Sequence, residues 1–341
     1  MGRILRGLAG EGNLRVVAAE TTDIVEEARR RHGLSPTATA ALGRAMTGAL
    51  LLAQLLLKTP KERITLRMEG TGPLGGLVVE ADALGNVRGY VQNPRAEVPL
   101  RQDGKLNVGE LLGAGVLRVD RSLPNGEVYT STVPLVSGEI AEDLAHYLWQ
   151  SEQIPSAVLL GVRVKGEGEV EVAGGVAVQV MPGASEEAIG RLEANLAGIP
   201  GLTPLLREKG LEGTLEVLLA GLGFARTDLR ALGFLADEIP ARFRCRCNRE
   251  KALEALVFFT PEEREDMIVK EGGAEVVCHW CGEVYRFSPE EIRTLVAEVR
   301  CPDCGALWLY PKADGTVFRM EGETCRCGRK VELPAERRPQ A

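Results

Sequence analysis

The first 244 residues contain no cysteine, although the chain of 341 residues holds eight. A secreted scaffold that spreads disulfides through its cores is therefore not what this sequence encodes. Aromatic residues are scarce at 4%, too few to assemble the stacking platforms that bind single-stranded bases. Positive charge is not in excess either. The 41 Lys and Arg stand against 48 Asp and Glu, and a net charge of -7 gives no general pull on phosphate backbones, so no nucleic-acid partner is expected. Residues Met1 to Gly7 lack the apolar stretch and small-residue cleavage site of a secretory signal, which predicts a cytoplasmic protein. The longest apolar run, Ala45 to Leu57, falls short of the ~20 residues a bilayer needs. With Arg44 before it and Gln54 inside it, it reads as a buried core helix, and no membrane contact is expected.

What is present is an ordinary folding composition, 45% hydrophobic and 26% charged, in a length that suits two or three modules. From Gly2 to about Met181, strand signals are interrupted by two helical stretches, which predicts an α+β domain built mainly on antiparallel sheet. Arg3 to Leu8 and Leu14 to Ala19 flank Glu11-Gly12-Asn13 as a hairpin. Ser35-Pro36 opens a helix to about Lys58, and Ser137 to Ser151 reads as the second. Further strands are predicted at 63–68, 76–81, 87–92, 116–120, 128–133, 157–165 and 170–181. After Pro182, Ser185 caps a helix whose stripe is Ile189, Leu192, Leu196 and Ile199, and a second short amphipathic stretch carries Leu215, Leu218, Leu219 and Leu222. Short helices are marginal alone, so this linker is a place for local unfolding. The predicted organisation is a core domain over 1–182, a helical linker over 183–240, a first four-cysteine module over 241–299, and a tail over 300–341.

All the cysteines stand in close pairs: Cys245 with Cys247, Cys278 with Cys281, Cys301 with Cys304, and Cys325 with Cys327. Thirty residues separate Cys247 from Cys278. Two such pairs supply four thiolates to a tetrahedral zinc, and four cysteines complete that shell without His279. The Cys-x-Cys half also permits a small, strained and therefore labile disulfide. Thiolate is the oxidisable form of the side chain, so an oxidant that attacks the ligands removes what the metal adds to folding. In the tail, Gly305 and Gly328 follow their pairs as tight turns near a metal require. A second structural zinc in a ribbon-like fold is the favoured reading there. A second redox switch, or ligands shared among all eight thiols, stays open on spacing alone.

Cys245-x-Cys247 followed after thirty residues by Cys278-His279-Trp280-Cys281 resembles the switch of the heat shock protein 33 family, redox-regulated holdase chaperones. Thr21-Thr22-Asp23, Arg30-Arg31-His32-Gly33, Pro36 to Arg44, Gly70 to Gly75 and Val136 to Asp143 resemble family motifs in the family's order. The likeness runs from about residue 2 to 297. It implies a reduced, zinc-bound, inactive monomer that peroxide or hypochlorous acid plus unfolding stress converts to an active chaperone. By the same resemblance, Cys278 and Cys281 oxidise together, and Cys245 and Cys247 pair after them. Zinc leaves, the linker loosens, and apolar surface including Ile189, Leu192, Leu196 and Ile199 captures unfolding clients without ATP, often as a homodimer. The tail from residue 300 departs from the family pattern.

Other signals are weaker. Gly70-x-Gly72-x-x-Gly75 matches a dinucleotide fingerprint as a string, but Gly76 to Ala81 reads as strand and not as the helix that must face pyrophosphate. A Cys-x-x-Cys oxidoreductase places its first cysteine at a helix N-terminus, whereas Val284 to Phe287 reads as extended. The protein is thus expected not to be an enzyme. The competing readings are a thiol oxidoreductase and a zinc-dependent module that binds nucleic acid or a protein through the tail.

Overall fold

The computed structural model describes residues 2–166, 168–227, 238–293, 295, 299–301, 303–311, 317–319 and 324–330. The chain divides into two units, Met1–Cys245 and Arg246–Ala341.

The first unit is α+β, as the sequence predicts. Its strands are β1 (Gly2–Ala9), β2 (Leu14–Glu20), β3 (Arg63–Gly70), β4 (Gly76–Asp82), β5 (Asn86–Val91), β6 (Gly115–Ser122), β7 (Val128–Pro134), β8 (Ser156–Val164), β9 (Val170–Val180), β10 (Phe224–Arg226) and β11 (Ile239–Phe243). They form one sheet in the order β7-β6-β3-β4-β5-β11-β1-β2-β9-β8, with β10 on the far end of β1. All pairings are antiparallel except that of β5 with β11, where Arg242 and Phe243 stand opposite Asn86 and Val87. On its other side β11 sets Ala241, Pro240 and Ile239 against Gly2, Arg3 and Ile4. Five residues that arrive late in the chain therefore join two halves of the sheet.

Both faces of the central strands are buried, and the alternation of side chains assigns them to two cores. Ile4, Val17, Ala19 and Ala177 point into the larger core around α2 (Pro36–Leu56), which follows α1 (Thr22–His32). Helix α2 begins where the Ser35 hydroxyl accepts from the Ala38 amide with Pro36 in the first turn. It is long and apolar enough to cross a membrane, but its most apolar window is 94% buried inside the protein. Small residues let neighbours approach: a Cβ on Gly48 would run into the Leu144 side chain of α4 (Ala141–Gln150). The last turn carries no basic residue of its own, so Arg15 donates to the carbonyls of Gln54 and Leu55, a cation where the helix dipole ends negative.

The motifs that carry the family resemblance gather around this helix. Arg44 pairs with Glu139, and the Thr37 hydroxyl donates to Glu97 at 2.6 Å. The buried Asp143 carboxylate accepts from the amides of Val136, Ser137, Gly138 and Ile140. Those four bonds hold 136–140 as a loop, with Ile140 at φ 76°, so the helix expected from Ser137 starts at Ala141. Between them lies α3 (Val108–Leu112), whose Leu111 and Leu112 carbonyls accept from Leu74 and Gly72. The Gly70 to Gly75 string is a turn entering β4, not a nucleotide loop.

Leu5, Leu14, Val16, Ala18, Val176 and Val178 face the second core. It is covered by α5 (Glu186–Ala197) and α6 (Leu202–Leu218), the helices of the predicted linker. Helix α6 begins well before Leu215, directly after Gly201, and breaks at Gly210. Its contact is also electrostatic. Arg3 holds Glu212 through two bonds of 2.6 and 2.7 Å and also meets Glu20 and Glu238, while Arg226 meets Glu212 and Glu238.

In the second unit are α7 (Arg249–Ala255), α8 (Pro261–Glu271), β12 (Ala274–Val277), β13 (Val284–Phe287) and α9 (Pro289–Arg293). Beyond them a small sheet joins β14 (Val299–Arg300), β15 (Leu307–Pro311) and β16 (Val317–Arg319). Thr260 with Glu263, and Ser288 with Glu291, read as capping boxes in the sequence, and both form. The sequence also predicts a helix from Ser288 to about Val299, a strand pair around Asp314-Gly315 and a polar terminus after Pro334; the helix ends at Arg293 with Val299 in β14, and residues 296–298, 314–315 and those after 334 lie outside the described residues. Among the described residues the apolar centre is small: Ala252, Leu256, Ile268, Phe287 and Ile292.

Two outcomes test the separation of the sheet's faces. Leu215→Ala, at a site 2% exposed, should cost about 2–4 kcal/mol and speed amide exchange in α5 and α6 while α2 keeps its protection; equal loss in both would refute it. The bond from Arg3 holds the Glu212 carboxyl below the usual carboxylate range. Its contribution is present above the ordinary value of about 4.3 and is lost as pH falls through the lowered one. Acidification should therefore loosen α6 before α2, and simultaneous loss of protection would count against the ion cluster.

Candidate metal centres

Two sets of four sulphurs form, and within each set the ligand atoms all lie within 4.8 Å of one another: Cys245, Cys247, Cys278 and Cys281 in one, Cys301, Cys304, Cys325 and Cys327 in the other. All eight cysteines are reduced, with no disulfide among them. The two sets are distinct, so ligand sharing among eight thiols is not the arrangement found.

The first set is assembled by a strand end and a hairpin. Strand β11 stops at Phe243 and delivers Cys245 two residues later. Strands β12 and β13 pair with Val276 opposite Tyr285, and the Cys278 amide donates to the Glu283 carbonyl to close the hairpin. At its tip the amides of Cys281 and Gly282 both donate to the Cys278 carbonyl, with Gly282 at φ 70°. This tight turn points both sulphurs the same way. Cys247 Sγ lies 3.4 Å from Cys281 Sγ. Side chains donate to the thiols, Tyr285 Oη to Cys247 Sγ at 3.2 Å and Arg88 Nη1 to Cys245 Sγ at 3.6 Å. Burial opposes the Arg88 charge, but Glu80 at 3.2 Å and Cys245 outweigh it. The bond to Cys247 raises the Tyr285 pKa and keeps its hydroxyl protonated.

The second set repeats the tight turn. The Gly305 amide donates to the Cys301 carbonyl, and Gly328 to Cys325. Sulphurs approach across the pairs, Cys301 to Cys327 at 3.6 Å and Cys304 to Cys325 at 3.5 Å. Arg329 clamps the two turns together through both oxygens of Asp303, at 2.9 and 2.8 Å. Crowding separates the thiols electrostatically. The Ala306 amide leads in drawing Cys304 down to about 6, whereas at Cys327 the opposing pull of the Arg329 amide is outweighed by lost hydration and neighbouring sulphurs, which push it up to about 12. The Trp308 indole is 5% exposed and its N–H meets no regular hydrogen-bond acceptor among the described residues, yet it leads in lowering the Cys325 thiol. A buried donor beside a sulphur suits a thiolate ligand.

Either set could hold a metal ion, since four sulphurs so close repel as thiolates unless a cation lies between them. A model of the Hsp33 protein family matches residues 2–288. The chain belongs to the Hsp33 family. It is 90% identical over 341 residues, the whole of both chains, to a 33 kDa chaperonin of Thermus thermophilus. To a 33 kDa chaperonin of Deinococcus radiodurans it is 51% identical over 294 residues, covering 86% of this chain and 97% of the relative. The crystal structure of the Thermotoga maritima 33 kDa chaperonin matches with a TM-score of 0.75 at 41% identity, over 85% of this chain and 96% of that one. By family this is a chaperone. The family match ends before the second sulphur set.

Sequence spacing alone groups the eight cysteines, but it misses Arg88 and Tyr285. Arg88 stands 157 residues from its sulphur, and Tyr285 is legible only as one arm of a hairpin. His279 is exposed and stands outside both sets. Of the helix stripe, Leu192 is buried in the second core, with Leu196 and Ile199 packed against it and Ile189 half-buried.

Metal content gives the direct test. The reduced protein should carry two equivalents per chain, and Cys278→Ser or Cys304→Ser should each lower the count towards one. Unchanged content in either variant would remove that cysteine from the ligand set.

Proposed function

We propose that the protein is a redox-regulated holdase that prevents aggregation of unfolding clients without ATP, inactive when reduced and zinc-bound. The observation that carries this reading is the first sulphur set, held at the end of the strand that joins the two halves of the sheet. Cys245, Cys247, Cys278 and Cys281 are its zinc ligands and its switch thiols. Zinc supplies a charge-neutralising crosslink to a module whose apolar centre is otherwise too small to fold securely. A second zinc at Cys301, Cys304, Cys325 and Cys327 serves the tail structurally.

Peroxide is the oxidant class. Attack by one thiolate gives a sulfenic acid and hydroxide, and a neighbouring thiolate displaces the second hydroxide. In sum, two thiolates, one hydrogen peroxide and two protons yield a disulfide and two waters. Pairing of Cys278 with Cys281 and of Cys245 with Cys247 rests on the family resemblance. Sulphurs joined in disulfides no longer ligate as thiolates, and the module around Phe287 loses its crosslink.

The apolar sheet face under α5 and α6 is the natural client surface, together with the stripe from Ile189 to Ile199. Functionally the chain then falls into a core to 182, a linker to 240, a switch to 299 and a tail. The reduced form is read as a cytoplasmic monomer and the oxidised form as a homodimer. An oxidoreductase reading fits less well, because Cys278 sits in a hairpin turn and not at a helix N-terminus.

A heat-unfolding client should stay soluble only when the protein has been treated with peroxide at mild heat, with no ATP added and with metal released alongside. Equal protection by the reduced zinc-bound form would end the switch reading, and no protection in either state would end the holdase reading.

A further inference from the structure

The geometry points to Tyr285 as the positioning residue that guards Cys247 and sets how readily the switch is oxidised. The inference rests on the redox reading above and deepens it. Tyr285 lies on β13, four residues beyond Cys281, and its hydroxyl donates to Cys247 Sγ at 3.2 Å. It thus reaches from the hairpin that carries Cys278 and Cys281 to the other half of the ligand set. Its ring packs against the small core of the module, which fixes the hydroxyl with few rotamers to spare. On its other side Cys247 Sγ lies 3.4 Å from Cys281 Sγ.

A hydrogen bond to a thiolate draws electron density from the sulphur lone pairs. Those are the electrons that break the peroxide O–O bond when a sulfenic acid forms and hydroxide departs. The donor also occupies one direction of approach to the sulphur. Both effects slow attack at Cys247, and both vanish with one oxygen atom. Groups around metal ligands commonly tune them in this way.

Tyr285→Phe removes the hydroxyl and keeps the ring, while Tyr285→Leu removes the packing as well. The full-length, reduced, zinc-loaded protein and both variants are exposed to hydrogen peroxide, and oxidation of Cys247 is tracked by alkylation and peptide mass mapping. In parallel, metal transfer to a chelator is timed without oxidant. Tyr285→Phe should oxidise at Cys247 about fivefold faster with chelator-driven transfer unchanged, and Tyr285→Leu should accelerate both. Equal peroxide rates in wild type and Tyr285→Phe would overturn the assignment. So would a Tyr285→Phe variant that speeds both processes alike, since that is the mark of a loosened fold. Wild-type cysteines inert to peroxide would instead overturn the switch reading itself.

Discussion

Four thiolates cannot share a space 4.8 Å across without a cation between them, and seven of the eight sulphurs under that constraint belong to the second unit. In the tail set the Ala306 amide draws Cys304 down to about 6, while at Cys327 the pull of the Arg329 amide is outweighed by lost hydration and hydrogen bonding among the sulphurs, which push it up to about 12. Among the described residues, helices α7 and α8 and the β12–β13 hairpin gather round a cluster of five buried apolar side chains with half-buried ones against it. The capping boxes of α8 and α9 and the stacking of Arg249 on the Phe287 ring shape the module but add little cohesion.

The first unit is built on a different principle. Its central strands are buried on both faces, and the two faces have unequal partners. Helix α2 is enclosed by the sheet on one side, with α4 packed close at Gly48, and its removal would empty the main core. Helices α5 and α6 cover the other side with leucines and one ion cluster around Arg3, and α6 is broken at Gly210. A cover of that kind can come away while the rest of the sheet stands.

Much of this was legible in the sequence because hydrophobic period and turn chemistry agreed. Strands β3 to β9 and helix α2 fall where alternation, Pro36 and the glycine turns put them, and the paired cysteines form the sets their spacing implies. What escaped reading has physical causes. Helix α1 buries only Ile24, Val25 and Ala28, and is otherwise a surface of Glu–Arg pairs that resembles any solvated face. Strands β10 and β11 are three and five residues long, and Pro240 argues against strand in the second. The early half of α6 is hidden by Pro204 and Gly210. Arg88 and Tyr285 meet their sulphurs through tertiary folding, which no local pattern records.

Strand β11 also has a consequence for synthesis. A ribosome makes β1 to β10 before residues 239–243 emerge, so the growing chain holds two partial sheets with facing edges, β5 unpaired and β1 paired only at its far end by β10. Only when β11 is released can it slot between them, with one parallel and one antiparallel partner. The next residues to appear are Cys245 and Cys247. Closing the sheet and presenting the first thiols are therefore nearly one event in time, and the pairing of β11 with β1 is the longest-range one in the domain, the kind whose loop-closure cost slows folding.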